Sequence, residues 1–343
     1  MKVLLAGSGL LPVPPPGHGA VERHVAALAD ALRRHGHEVE IFAPVIGEWR
    51  FAWRLARRFR RTRPDVLHVH TTAAAAFLGA RGVPFVYTSH SRHWRSAEGA
   101  RERAGFALER FACRRATAVV ALTPGVRDAM RQEAVRPVVV PNGVDLQRFA
   151  PGPGRGAGPA LRVLCVGEVR EHKAQHVVVE AARGLAAQVR IVGPLRDVVY
   201  ARRLDAPHVE IRGPVDDDTL IEEYRAADVL AHLSTSEALS LAVLEGMACG
   251  LPLVASDICE GQIEDGVNGL VVKAALPEAE RVAATRAAFE RLAGDAALRA
   301  RMGAESRRMA EARFSWDAVA ERLEPVYASA RSLHDARPGS PPE

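Results

Sequence analysis

STSEALSLAVLEGMACGLPLVASD, residues 234–257, carries the pattern that decides the fold. Leu241, Ala242, Leu244 and Ala248 recur at helical spacing, Gly250 suits a C-terminal stop, and Pro252 followed by LVAS reads as a buried strand. A helix that one strand feeds and another follows is the repeating unit of a parallel sheet. Glu237 then falls in the entry loop and Glu245 about a turn inside the helix. An ionised carboxylate has two acceptor oxygens and no donor, so each can grip neighbouring hydroxyls, such as a ribose diol or adjacent hydroxyls of a hexose. The helix N-terminus between them can take phosphate. Taken alone, the pair also fits a solvated loop residue and the polar face of an ordinary helix.

Outward from this stretch, short β-branched runs alternate with helical ones. VLLAG, EVEIF, DVLHV, PFVYTS, TAVVAL and PVVVP form a first set of strands; LRVLCVG, VRIVG, HVEIRG, DVLAHL, PLVAS and GLVVK form a second. The alternation predicts two α/β domains, each a doubly wound parallel sheet covered on both faces. Between the sets, PGPGRGAGPA at 151–160 has the glycine and proline content of a linker. In open sheets of this class ligands sit beyond the carboxyl ends of the strands.

Residues 234–257 resemble the Glu, seven residues, Glu pattern of retaining nucleotide-sugar glycosyltransferases of family 4, which have the two-domain GT-B fold. GHGAVERHVAALADALRRHGHEVEIFAP (17–44), RPDVLHVH (63–70), PNGVDLQRFAP (141–151) and RFSWDAVAERLEPVY (313–327) resemble family stretches in family order, so the likeness spans essentially the whole chain. It implies two Rossmann-like domains facing a cleft. The acceptor side is expected at 1–150, a linker at 151–160, the donor side at 161–314, a helix crossing back to the first domain at 315–330, and a disordered tail at 331–343. The implied reaction moves a sugar from a nucleoside diphosphate to an acceptor hydroxyl with retention and without a metal or other cofactor. A catalytically silent nucleotide-sugar binder of the same fold is the alternative.

The resemblance implies roles residue by residue. Glu245 is expected on the ribose and Glu237 on donor-sugar hydroxyls, with Ala238, Leu239, Ser240 and Leu241 offering backbone amides where the family usually has glycines. In VGEVREHKAQHVVVEA (166–181), Lys173 matches the phosphate-binding lysine; Glu168 stands where the companion arginine is usual, and Arg170 is the candidate substitute. A fixed cation there stabilises a departing diphosphate without a metal. His90 is expected beside the reacting sugar. Gly19 and Ala20, after Gly17 and ahead of a helical stripe of Val21, Val25, Leu28 and Leu32, form a second candidate anion site, although the family usually has two adjacent glycines there. His68 and His70, read as alternating along DVLHVH and so on different faces, are assigned structural roles. Asp145 in PNGVD fits a turn as well as catalysis.

Composition bounds the remaining possibilities. The 46 basic and 41 acidic side chains leave +5, too modest and dispersed for a nucleic-acid surface. Cys113, Cys165, Cys249 and Cys259 show no metal-ligand spacing and read as reduced thiols. With no signal-peptide pattern and no apolar run long enough for a bilayer, a cytoplasmic location is expected. EWRFAWRLARRFRRTRP (48–64) interleaves Trp49, Phe51, Trp53, Leu55 and Phe59 with seven arginines. It fits peripheral contact with an anionic lipid surface, and equally a helix packed on the sheet with an arginine-rich outer face. AGSGLLP (6–12) lacks the third glycine of a dinucleotide fingerprint, which argues against an oxidoreductase.

Overall fold

The computed structural model describes residues 1–15, 19–91, 94, 99–152 and 158–335. The chain divides into two compact units, Met1–Gly143 with Trp316–Glu343, and Val144–Ser315.

In the first unit the strands are β1 (Lys2–Ala6), β2 (Glu38–Phe42), β3 (Val66–Val69), β4 (Val86–Thr88), β5 (Ala118–Ala121) and β6 (Val138–Val139). They form one parallel sheet in the order β2-β1-β3-β4-β5-β6. Helices α1 (Ala20–Arg34), α2 (Glu48–Thr62), α3 (Thr72–Ala80), α4 (Gly99–Arg115) and α5 (Pro124–Gln132) connect them. The period of two sorts the strand side chains into two cores. Leu4, Ala6, Leu67 and Val69 pack with Phe51 and Leu55 of α2. Val3, Leu5 and Val66 pack on the other face with Val25, Leu28 and Leu32, and with Val319, Leu323 and Tyr327 from the C-terminal helix.

The second unit holds β7 (Leu161–Val166), β8 (Ala187–Val192), β9 (Val209–Gly213), β10 (Val229–His232), β11 (Leu253–Ser256) and β12 (Gly269–Val272), parallel in the order β12-β11-β10-β7-β8-β9. Its helices are α6 (Gln175–Ala182), α7 (Val198–Ala201), α8 (Asp217–Ala226), α9 (Leu241–Ala248), α10 (Glu278–Gly294) and α11 (Ala296–Phe314). The strand order reverses between β7 and β10, whose register pairs Val163 with Val229 and Leu164 with Leu230. A reversal of this kind opens a crevice at the carboxyl ends of the two strands. In the first unit the reversal lies between β1 and β3.

Two glycines make the second unit's packing possible. A Cβ on Gly193, after β8, would fall 2.1 Å from the Gly167 carbonyl oxygen, so the loops leaving β7 and β8 touch backbone to backbone. One on Gly246 would fall 2.5 Å from Leu230 Cδ2, which lets α9 lie against β10.

The boundary differs from the sequence expectation. It lies at Gly143/Val144, seven residues before 151, because Val144 N–H donates to the Phe314 carbonyl at 2.8 Å and Phe149 is buried in the second unit's core. Within the linker expected at 151–160, residues 153–157 lie outside the described residues. The final helix, α12, runs Trp316–Asp335 and groups with the first unit. It carries helical backbone past the expected end at 330, and residues 336–343 of the expected tail lie outside the described residues.

Candidate functional site

Three segments meet at the β7/β10 crevice. After β7 the chain passes Gly167 and makes a short 3-10 turn, Glu171–Lys173, before α6. Ala174, which follows Lys173, is buried and holds φ 51, a left-handed conformation uncommon for a residue with a Cβ. The turn is tied to the loop after β10 through one carbonyl: His172 O accepts from Thr235 N at 2.8 Å and from Ser234 Oγ at 3.1 Å. Ser256 Oγ donates to Ser234 O at 2.6 Å, and the buried Arg281 donates to Leu233 O at 2.9 Å. With both loops fixed, their side chains are positioned.

Lys173 Nζ lies 2.5 Å from Glu237 Oε1, and His232 Nε2, at the end of β10, lies 3.2 Å from the same oxygen. The Lys173 and Glu237 side chains are 17% and 15% exposed. Burial opposes ionisation of Glu237, but the His232 hydrogen bond and the Lys173 charge outweigh it and hold the carboxyl well below its usual range. The group is a carboxylate at neutral pH, facing an ammonium.

Ser240 caps α9, its Oγ accepting from Val243 N at 3.4 Å. Gln262 clamps the same residue: its Oε1 accepts from Ser240 N at 3.2 Å and its Nε2 donates to Ser240 O at 2.7 Å. The expectation that the Ser240 amide serves a ligand is therefore corrected, since that donor already serves Gln262. The first-turn amides of Leu241 and Ala242 have no intrahelical acceptor, as in any helix, and supply the positive end of α9. Ala238 is half-buried, and Leu239 and Leu241 lean on the core. On α9, Glu245 Oε2 accepts from the Tyr224 hydroxyl of α8 at 2.7 Å. Burial and the neighbouring Glu245 charge push the Tyr224 phenol well above its usual value, so the donor stays protonated.

Glu168, in the place of the family's arginine, is met by two guanidinium groups: Arg196 Nε at 3.3 Å and Arg170 Nη1 at 3.8 Å. Arg170, the expected substitute for the family's arginine, thus faces the carboxylate that stands in that arginine's place, and Arg196 adds a cation that nothing in the local motif announces.

In the first unit, the N-terminus of α1 differs from expectation. Gly19 precedes the helix and Ala20 opens it; Gly17 lies outside the described residues. The buried Glu22 carboxylate accepts a hydrogen bond from Ser8 Oγ, and a Cβ on Gly19 would meet Glu22 Oε2 at 3.0 Å. A carboxylate already stands where the Gly19 and Ala20 amides were expected to receive a diphosphate, and it would repel one.

His90 follows β4, its Nε2 3.2 Å from His70 Nδ1. Burial lowers His90 to about 4, so the ring is neutral at pH 7. The assignment of His68 and His70 to different faces is wrong: residues two apart on a strand share a face, and the two rings stand 4.3 Å apart. His68 is bonded on both nitrogens, to Tyr327 OH and Thr88 Oγ1, each at 2.7 Å. His24 of α1 completes the cluster, 4.8 Å from the His70 ring and 5.0 Å from that of His90. Asp145 Oδ1 accepts from Gln147 N and Arg148 N, both at 3.0 Å, the arrangement of a turn.

Of residues 48–64, Phe51, Ala52, Leu55 and Ala56 are buried, while Trp49 and Trp53 are 59% and 45% exposed beside Arg50, Arg54 and Arg57. Among the described residues no helix is long and apolar enough to cross a membrane, and the four cysteines are buried and form no disulfide.

Residues 45–148 match the family model described as Glycosyltransferase Family 4, and residues 160–293 match the one described as Glycosyl transferases group 1. A D-inositol 3-phosphate glycosyltransferase of Kineococcus radiotolerans is 33% identical over 309 residues, covering 76% of this chain and 69% of that protein. Its counterpart from Geodermatophilus obscurus is 35% identical over 223 residues, 57% of this chain and 48% of that protein. The chain spans about half the length of several of the curated relatives it matches. Among solved structures, sucrose-phosphate synthase from Thermosynechococcus elongatus has a TM-score of 0.77 at 19% identity, covering 98% of this chain and 100% of that one. Anabaena HepE in complex with UDP and glucose has a TM-score of 0.73 at 21% identity, covering 96% and 100%. These likenesses establish a fold of the GT-B type.

Proposed function

The chain belongs to the family 4 glycosyltransferases, and from that premise we propose that it transfers a sugar from a nucleoside diphosphate to an acceptor hydroxyl, with retention and without a metal at the diphosphate. The reading is carried by one observation: Lys173, Glu237 and His232 converge at the β7/β10 crevice, with Glu245 on the helix that follows.

In this account Glu245, oriented by Tyr224, accepts from the ribose hydroxyls. Lys173 exchanges its contact with Glu237 for the diphosphate, assisted by the amides opening α9. Glu237, still held by His232, then accepts from donor-sugar hydroxyls. The acceptor oxygen attacks the anomeric carbon on the face the diphosphate leaves, that carbon–oxygen bond breaks, and the acceptor proton passes to the departing phosphate oxygen. No covalent sugar–enzyme intermediate is required. The neutral His90 supplies a hydrogen-bond partner for the sugar. Arg196 and Arg170 neutralise Glu168 and so remove its repulsion of the diphosphate. Relatives named for D-inositol 3-phosphate favour a small phosphorylated polyol among possible acceptors. UDP and UDP-glucose in HepE complexes favour a uridine donor.

The exposed Trp49–Trp53 pair among arginines supports a peripheral contact with an anionic lipid surface. The Glu22 carboxylate at α1 favours the second reading, a silent binder. Release of free nucleoside diphosphate over a panel of donors, with cell extract as acceptor source, separates the two. Transfer requires release that Lys173→Ala cuts by about 10²–10³-fold; donor binding without release identifies the silent binder.

A further inference from the structure

The amino-terminal unit contains a second constellation that the transfer reaction leaves largely unused. His24 from α1, His70 after β3 and His90 after β4 bring one ring nitrogen each within 4.8 Å of the others. They gather where the strand order reverses in that unit, the place where open sheets bind ligands. Both ring nitrogens of His24 are buried with no hydrogen-bond partner among the described residues, beside His70 Nδ1 and His90 Nε2, which face one another at 3.2 Å. Buried polar atoms are nearly always satisfied, so an unsatisfied His24 ring beside that pair points to an occupant.

We propose that His24, His70 and His90 form a transition-metal site in the amino-terminal unit. Neutral imidazoles select zinc, cobalt, nickel or copper over magnesium and calcium. With metal–nitrogen bonds of about 2.0–2.1 Å, tetrahedral ligand nitrogens stand roughly 3.3 Å apart. His70 Nδ1 and His90 Nε2 are already 3.2 Å apart. Each of the His24 nitrogen's gaps to the other two has to shorten by no more than about 1.5 Å to complete the set. His68 is outside it, because both its nitrogens are engaged, but its ring packs on His70 and fixes that ligand's plane. Three protein ligands leave a fourth position for water or a hydroxyl oxygen. One consequence rests on the proposed transfer reaction: a nitrogen of His90 that holds an ion is withdrawn from the sugar, so the metal-loaded enzyme is the slower one.

The test is titration of the chelator-treated full chain with Co2+, followed by visible d–d absorption. One equivalent of tetrahedral Co2+ is expected. It is lost in His24→Gln and in His70→Gln and retained in His208→Gln, a histidine of the other unit. Because a buried substitution can unfold the unit, X-ray absorption on the zinc-loaded wild type provides a readout without variants, with three imidazoles expected in the first coordination sphere. Absence of saturable binding, binding unaffected by His24→Gln and His70→Gln, or fewer than three imidazoles on zinc overturns the site. Transfer assayed with Zn2+ and with chelator tests only the consequence: unchanged rates overturn the inhibition and leave the site to the spectroscopy.

Discussion

Lys173 Nζ and Glu237 Oε1, 64 positions apart in sequence, stand 2.5 Å apart at the reversal of the second sheet. The pair joins the turn after β7 to the loop after β10, so the cation and the carboxylate proposed to hold a diphosphate and a sugar rest against one another. The lysine charge helps to keep Glu237 ionised, and the contact holds both side chains in place.

Removing one member leaves the other uncompensated. Glu237→Gln is expected to lower transfer by about 10²-fold or more while the fold persists, since the amide keeps the shape but forfeits the charge. Steady-state kinetics with a far-ultraviolet spectrum as folding control checks this; wild-type turnover in the variant would rule out a role for the carboxylate.

The same carboxyl makes stability depend on pH. Its folded value lies below the usual 4.5, so its contribution is fully present above that pH and is lost as pH falls below it. Denaturant melts of wild type and Glu237→Gln are expected to diverge in pH dependence below about pH 4.5 and to run parallel above it. Identical profiles would contradict the assigned ionisation.

Tyr224→Phe removes the hydroxyl that orients Glu245. Loss of one such hydrogen bond, about 1 kcal/mol, corresponds to roughly five-fold weaker nucleotide binding. Calorimetric titration should find this loss with little change in melting temperature.

Arg307 of α11 donates from Nη1 to Ala248 O at the end of α9 at 2.7 Å and to Phe149 O at 2.9 Å. These bonds satisfy a helix C-terminus and hold the first turn of the second unit to α9. Arg307→Ala is expected to destabilise the unit by about 2 kcal/mol, read as a lower denaturation midpoint with unchanged slope.

Trp49 and Trp53, with Arg57 4.8 Å from the Trp53 ring centroid, form the outer face of α2. Co-sedimentation with vesicles containing anionic lipid is expected for wild type and strongly reduced for the Trp49→Ala, Trp53→Ala double variant. Equal sedimentation of both would dissociate this face from lipid.

The fold was legible because each strand is a short apolar run and each connection a helix, so the parallel sheets follow from local pattern. Glu237, Glu245 and Lys173 were singled out by their match to a family pattern, because taken alone their spacing also fits solvated residues; the structure brings Lys173 and Glu237 together. What escaped is non-local. Gln262, Tyr224, His232 and Arg196 act through partners 5 to 28 residues away across loops, and nothing in their own neighbourhoods marks them. The histidine cluster had a signal that was misread: His68 and His70 are two apart on a strand, which places them on one face, but only the packing of α1 brings His24 to them.

The central claim is that a nucleoside diphosphate sugar is held at the carboxyl end of the second sheet with its ribose on Glu245. Calorimetric titration of nucleoside diphosphates into wild type and Glu245→Ala tests it most directly. The account expects one site in the wild type and at least about ten-fold weaker binding in the variant, a difference of 1.4 kcal/mol or more. Equal affinity in the two proteins would contradict it.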